Sequence, residues 1–182
     1  MDFLLHICCA PCGGGCVERL REEENIIPRL YYSNSNLCDK EEFERRLDSV
    51  KRLAEACGLQ LEVDPYDHEA WLEAVRGLEN EPERGARCEK CFAWNLARAE
   101  KRAKELGADF ATTLTVSPMK SSRTIFAIGE KMTGFRAWDF KKKNGYKRSC
   151  EIAAELGFYR QNFCGCEFSK RDNYKHIKEK EK

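Results

Sequence analysis

Charge imbalance is missing from this chain: 32 lysines and arginines nearly cancel 31 aspartates and glutamates, leaving a formal net charge of +1 over 182 residues. No global field therefore draws it toward nucleic acid or a membrane, and only a local basic patch could do so. Long apolar runs are missing too. The opening MDFLLHICCAPC shows no cationic leader, and its apolar stretch is too short for a signal peptide or a membrane span. A cytoplasmic protein with no membrane partner is expected. Neither common phosphate-cradling loop, G-x-x-x-x-G-K-S/T or G-x-G-x-x-G, occurs; Gly13-Gly14-Gly15 ahead of a helix offers an anion only backbone amides. No internal repeat and no long linker divides the sequence, so residues 1–182 read as one domain. That length buries a core without disulfides or metal, so a bound metal would serve chemistry rather than folding.

Cysteine is what the chain has in excess, with 11 residues. In a reducing compartment these do not suggest a disulfide framework, and their tight C-x-x-C and C-x-C spacings point to metal or redox work. The intervening pattern alternates strands and helices. Phe3 to Ile7 reads as a buried strand running into a loop, Val17 to Glu24 as a helix and Ile26 to Tyr32 as a strand. Asp39 is placed to cap a helix with Glu42 at the capping-box position, and that helix stops at Gly58. Leu59 to Val63 is strand-like, His68 to Val75 helical, Cys88 to Leu106 a long helix ending at Gly107, and Phe110 to Val116 a strand. Helices follow over Ser121 to Met132 and Ser149 to Gly157, with a frayed charged tail at His176 to Lys182. The order predicts an α/β fold: a mainly parallel sheet flanked by helices, with right-handed crossovers and its ligand site at the strands' carboxyl ends.

Three cysteine groups carry the chemistry. Cys88 and Cys91 begin a helix, where residues three apart project from one turn and the helix N-terminus favours thiolate. Alone, such a pair suits a redox couple or half a zinc site as well as an iron-sulfur cluster. Cys8-Cys9-Ala10-Pro11-Cys12 places three thiols at the end of the first strand. In extended backbone successive side chains face opposite sides, so Cys8 and Cys9 are expected to serve two different metal centres. Cys164-Gly165-Cys166 adds a third group, with a glycine that lets backbone turn closely around a metal. Seven thiols exceed the needs of one cluster. Four would complete a four-iron centre, and three, with a carboxylate or water, would suit a separate ion. Cys57 continues the apolar stripe of Phe43, Leu47, Val50 and Ala54 and reads as core. Cys150 and Cys16 read as structural, and Cys38 as a loop residue.

Outside the cysteines, His6 reads as a satisfied buried histidine two residues before Cys8. Lys141, Lys142, Lys143, Lys147 and Arg148, interleaved with Trp138, Phe140 and Tyr146, could grip phosphates while the rings stack on unpaired bases. A solvated basic loop is the alternative. Asp139, in the same stretch, is a candidate for proton transfer, and no other catalytic residue stands out. The polar run Tyr31 to Asn36 ends the second strand at the same sheet edge.

Taken in order, HICCAPC, RCEKC, FKKKNGYKRS and YRQNFCGCEFS resemble the QueH type of epoxyqueuosine reductase over nearly the whole chain. The resemblance implies removal of the epoxide oxygen from epoxyqueuosine in tRNA, without cobalamin. It also implies a four-iron, four-sulfur (4Fe-4S) cluster beside a second, mononuclear metal ion expected to be iron. The partners would be tRNA carrying epoxyqueuosine and an unidentified electron donor. The fold would be similar to the adenine-nucleotide hydrolase (HUP-like) class, with a C-terminal cysteine-bearing extension. Where those relatives read S-G-G-x-D-S, this chain has Cys8-Cys9-Ala10-Pro11-Cys12, so ATP use is not implied. The metal role falls on Cys8, Cys9, Cys12, Cys88, Cys91, Cys164 and Cys166. Cluster ligation is expected from Cys88, Cys91, one of Cys8 and Cys9, and Cys164, with the others holding the single ion. Two rivals stand beside this reading: an iron-sulfur tRNA sulfur transferase that consumes ATP, and a non-catalytic zinc module that binds RNA.

Overall fold

The computed structural model describes residues 2–171. The tail at 176–182 lies outside the described residues.

Four short strands, β1 (Phe3–His6), β2 (Arg29–Tyr32), β3 (Leu61–Val63) and β4 (Asp109–Thr112), form one parallel sheet in the order β3-β2-β1-β4. β1 lies in the interior of the sheet and is buried along its whole length, as a parallel strand covered on both faces must be. Its alternating side chains feed two cores. Leu5 and Ile7 join Leu20, Val50, Leu53 and Ala111 on one face, whereas Leu4 joins Leu96, Ala99, Phe110 and Ile125 on the other. The first face is covered by α1 (Ala10–Glu24) and α2 (Lys40–Cys57), the second by α4 (Ala86–Leu106) and α5 (Ser122–Gly129). A short α3 (His68–Ala74) precedes α4, and α6 (Gly145–Glu155) packs along α1. No helix among the described residues is long and apolar enough to cross a membrane.

The helix limits follow from local chemistry. Asp39 accepts a hydrogen bond from the Glu42 amide at 2.7 Å and starts α2, while Gly58, left-handed at φ 59°, ends it. Gly107, at φ 63°, ends α4 in the same way. β4 stops at Thr112, whose hydroxyl accepts from the Leu114 amide and turns the chain into a 3-10 segment, Thr113–Val116, where the sequence pattern predicts strand.

The larger departures are at two helix starts. α1 begins at Ala10, with Pro11 in its first turn and the glycine triplet inside the helix rather than in a loop. α6 begins at Gly145 rather than Ser149. Each glycine weakens an isolated helix by about 1 kcal/mol relative to alanine, and tertiary packing overrides that preference. A Cβ on Gly15 would stand 2.5 Å from the Ser149 hydroxyl and 3.0 Å from the Gly145 carbonyl, so its absence lets α6 approach α1.

Gly145 is the tighter of the two, since a Cβ there would lie 1.9 Å from the Phe140 carbonyl oxygen. Gly145→Ala is predicted to destabilise the protein by about 1–3 kcal/mol, a fall of several degrees in Tm. Thermal unfolding followed by circular dichroism checks this, and an unchanged Tm would mean that the turn before α6 yields freely.

Candidate metal centre

The carboxyl end of β1 delivers the first thiols. The strand ends at His6, and the Ile7 amide still donates to the Tyr31 carbonyl at 2.9 Å. Cys9 then caps α1 in extended conformation, and the Cys12 amide returns to the Cys9 carbonyl at 3.2 Å. This turn draws the sulfurs of Cys8, Cys9 and Cys12 within 4.8 Å of one another, with Cys8 and Cys9 3.9 Å apart. The expectation that Cys8 and Cys9 face opposite sides is therefore corrected. Alternation belongs to regular strand, and the chain has left the strand before reaching them. Thr113, just past β4, receives the Cys8 amide at 3.2 Å and donates its hydroxyl to the Cys8 sulfur at 3.4 Å. Gln161 donates to the Cys9 sulfur at 3.2 Å. Cys16 donates its thiol to the Cys12 carbonyl at 3.1 Å, a structural bond as the spacing suggested.

The other four thiols come from two segments. Cys88 lies in the first turn of α4 and accepts from the Arg84 amide at 3.2 Å. Cys91, one turn further, packs with Trp71 and Cys166. Gly165, at φ 143°, makes the sharp bend of the Cys164-Gly165-Cys166 turn. Three bonds hold that turn. Its Gly165 carbonyl accepts from the Cys38 amide at 2.9 Å, its Cys164 amide donates to the Ser169 hydroxyl at 3.0 Å, and its Cys164 carbonyl accepts from Arg46 at 3.0 Å. Cys88, Cys164 and Cys166 are the electrostatic neighbours of Cys91. The chain thus divides its seven thiols into a tight N-terminal three and a looser four, and both sets border one cavity of about 330 Å³. Cys12, Cys88, Cys91, Cys164 and Cys166 line its wall.

Charge within the cavity is uneven. Contacts with Cys12 and then Cys9 hold the Cys8 thiol well below its usual range, and the Cys12 thiol, bonded to that thiolate, rises well above it. Contact with Cys12 favours the Cys9 thiolate, but contact with Cys8 and burial outweigh it and push Cys9 up to about 12. Burial raises Cys88 and Cys91, and takes Cys166 to about 12. Lys120, half-buried in the cavity wall, stays firmly protonated because Cys164, and then Cys8, Cys12 and Cys9, outweigh its burial.

Several residues outside the three cysteine motifs belong to this site: Lys120, Thr113, Gln161, Trp71 and Arg46. Gln161 lies within the YRQNFCGCEFS segment, but the others carry no local signal. Cys150, read as structural, lines the cavity beside Tyr146 and accepts a hydrogen bond from Arg160 at 3.6 Å. Cys57 packs against the core as expected, and Cys38 precedes α2, its thiol on the Asp39 carboxylate at 3.3 Å. His6 is fully buried and satisfied by Thr112 and Ser33.

The basic segment is largely turned inward. The Lys141 ammonium is caged by the carbonyls of Thr115, Ser117 and Lys120 and the Ser122 hydroxyl, so it is not placed to hold phosphate. Arg148 pairs with Glu18 at 2.8 Å and Lys143 with Glu23 at 3.0 Å. Phe140 is buried, and Trp138 stacks on Phe3, so neither ring presents itself to a base. Lys142, Lys147 and Tyr146 remain exposed, and Tyr146 reaches the cavity. Asp139 is outside the cavity wall and accepts from the Ser122 hydroxyl at 3.0 Å, a role in the turn.

The donor set fits a soft metal or an iron-sulfur group. Buried donors also stand at its edge: the Trp71 indole N–H has the Cys91 sulfur beside it, and Nη2 of Arg46 and of Arg87 have no hydrogen-bond acceptor among the described residues.

The family model described as epoxyqueuosine reductase QueH matches residues 3–172. The chain belongs to the QueH family. Curated QueH proteins agree. The epoxyqueuosine reductase QueH of Streptococcus pyogenes is 39% identical over 181 residues, covering 92% of this chain and 70% of that protein. That of Acinetobacter baylyi is 35% identical, covering 93% and 81%. That of Thermotoga maritima is 32% identical, covering 97% and 96%. The QueH match includes all seven thiols described above.

In metal-free protein at neutral pH, the lowered Cys8 thiol is the most ionised of the N-terminal three and the strongest nucleophile among them. Brief treatment with iodoacetamide followed by peptide mass spectrometry is expected to find Cys8 modified before Cys9 and Cys12. Equal labelling of the three would remove this distribution of charge.

Proposed function

We propose that this QueH-family protein is an oxidoreductase that removes the epoxide oxygen of epoxyqueuosine in tRNA, leaving queuosine, in the cytoplasm. Membership of a family named for that reaction supports the reading, as does the gathering of thiols around one cavity. The reaction consumes two electrons and two protons, and the oxygen leaves as water while an alkene remains. An unidentified donor supplies the electrons.

The observation that carries the metal assignment is sulfur spacing. Metal–sulfur bonds of about 2.3 Å in a tetrahedral site set sulfurs about 3.8 Å apart, and Cys8 and Cys9 are 3.9 Å apart. Cys8, Cys9 and Cys12 would therefore hold the mononuclear ion, iron in this reading, with its fourth position open to substrate. Cys88, Cys91, Cys164 and Cys166 would hold the 4Fe-4S cluster. This keeps Cys8 and Cys9 together, where strand alternation alone divides them. When bound, the cluster supplies electrons and the ion supplies Lewis acidity toward the epoxide oxygen.

The chain's own groups do the rest. Lys120 holds a proton on Nζ in the cavity wall, where negative charge grows on the departing oxygen, and its ammonium stabilises that charge. Thr113 and Gln161 orient the sulfurs of Cys8 and Cys9 through the hydrogen bonds described above. Tyr146 at the rim offers a ring on which an unpaired base can stack, and Lys142 and Lys147 meet phosphates.

Anaerobically reconstituted protein with dithionite is expected to convert epoxyqueuosine tRNA to queuosine tRNA, followed by nucleoside mass spectrometry. Cys8→Ser should lower turnover at least about 100-fold. Absence of turnover by fully loaded wild-type protein would reject the reading. Dependence on ATP would instead favour the sulfur transferase, and zinc without sulfide in the purified protein would favour the RNA-binding module. Replacing Lys142 and Lys147 together with alanine should flatten the salt dependence of tRNA affinity by about one unit of slope per lost phosphate contact. An unchanged slope would move the RNA contact elsewhere.

A further inference from the structure

α2 carries a fixed charge into the site. The Arg46 side chain is 3% exposed and its Nε donates to Glu42 at 2.7 Å. Nη1 donates to the Cys164 carbonyl at 3.0 Å, and the Phe163 ring lies 5.4 Å from the guanidinium carbon. Nη2 is buried without an acceptor among the described residues. Its position is defined by Gly165, where an added Cβ would approach Nη2 to 3.4 Å, so this N–H group lies against the Cys-Gly-Cys turn. The charged neighbours of the guanidinium are Cys9, Glu42 and Cys164. Arg46 therefore has a thiol from each end of the chain among its charged neighbours, and Glu42 is its one carboxylate partner among the described residues.

The guanidinium charge is met by Glu42, but a buried N–H without an acceptor is unfavourable unless something accepts from it. Cys9 and Cys164 are the thiols among its charged neighbours. We propose that Arg46 is a positioning residue for the iron-sulfur cluster of the function proposed above, on which this inference rests: its Nη2 donates to a cluster-bound sulfur on the Cys164 side, and its permanent charge makes the cluster easier to reduce. Reduction adds negative charge, and a nearby cation with a hydrogen bond to sulfur stabilises the reduced state more than the oxidised one. Lysine would keep the charge but not the planar fork that serves Glu42, Cys164 and the sulfur at once.

The competing role is a plain anchor, holding the Cys164 carbonyl to α2. The two are separated by measuring the midpoint potential of anaerobically reconstituted wild-type, Arg46→Gln and Arg46→Lys proteins in redox titrations followed by visible absorption and electron paramagnetic resonance. Iron content and the Tm of metal-free protein are measured alongside. The side-chain amide that Arg46→Gln introduces can still donate to a carbonyl.

The expected result is a midpoint shifted negative in Arg46→Gln, with Arg46→Lys between it and wild type. Lower iron retention or Tm with an unshifted midpoint would overturn the proposal in favour of the anchor. If Arg46→Gln does not fold, Arg46→Lys decides, since a midpoint equal to wild type overturns the idea and a negative shift supports it. Wild-type protein that takes up no iron or sulfide overturns the metal reading and this inference together. Loaded wild type with unshifted variants overturns this inference alone.

Discussion

The buried imidazole of His6 ties the carboxyl ends of three strands into one edge. Its Nε2 is 3.0 Å from the Ser33 carbonyl, which can only accept, so Nε2 carries the proton. Nδ1 then accepts from the Thr112 hydroxyl at 2.8 Å, and that hydroxyl in turn receives the Leu114 amide. Burial lowers the pKa of His6 and favours the neutral ring that this pattern requires. β1, β4 and the turn after β2 are thereby held in register where the sheet opens. Cys8 follows two residues after His6, and Thr113 follows one residue after Thr112, so the contact between Cys8 and Thr113 is inherited from the histidine's bonds.

Around that edge, thiols converge from elements that are remote in the chain: the cap of α1, the first turns of α4 and the turn at Cys164. Such a gathering concentrates negative potential as the sulfurs ionise. The fold meets it with two cations from different elements, Lys120 in the loop before α5 and Arg46 on α2, both with Cys9 and Cys164 among their neighbours. Neither is an ordinary surface charge. Lys141 also contributes, since its ammonium gathers the carbonyls of residues 115, 117 and 120 and so fixes the loop that presents Lys120.

Much of this was legible in the sequence. The Asp39 cap, the stops at Gly58 and Gly107 and the parallel α/β order are local signals, and local chemistry decides them. The seven cysteines stood out because their spacing is dense and repeated. What could not be read depended on contacts between distant segments. Gly13 to Gly15 look like a loop until α6 is laid on them, and Cys8 and Cys9 look divergent until Cys9 is seen to cap a helix. Arg46 and Lys120 are two among 32 basic residues, and nothing in their neighbours announces burial. The Lys141 to Arg148 segment divides for the converse reason: its composition suits RNA, and Lys142 and Lys147 stay exposed, but Lys141, Lys143 and Arg148 are engaged by the chain's own carbonyls and carboxylates.

The two cores on either face of the sheet close mainly through leucine, isoleucine, valine, alanine and aromatic side chains, with Cys8, Cys12 and Cys88 packed at their margins and Cys91 and Cys166 in a smaller cluster with Trp71. Such cores need no metal to close, so a metal taken up at the cysteines would enter a receptacle that the side chains already hold. Without a metal, the partly exposed thiols Cys8, Cys12, Cys88, Cys91 and Cys164 would meet oxidants first, while Cys9 and Cys166 stay covered.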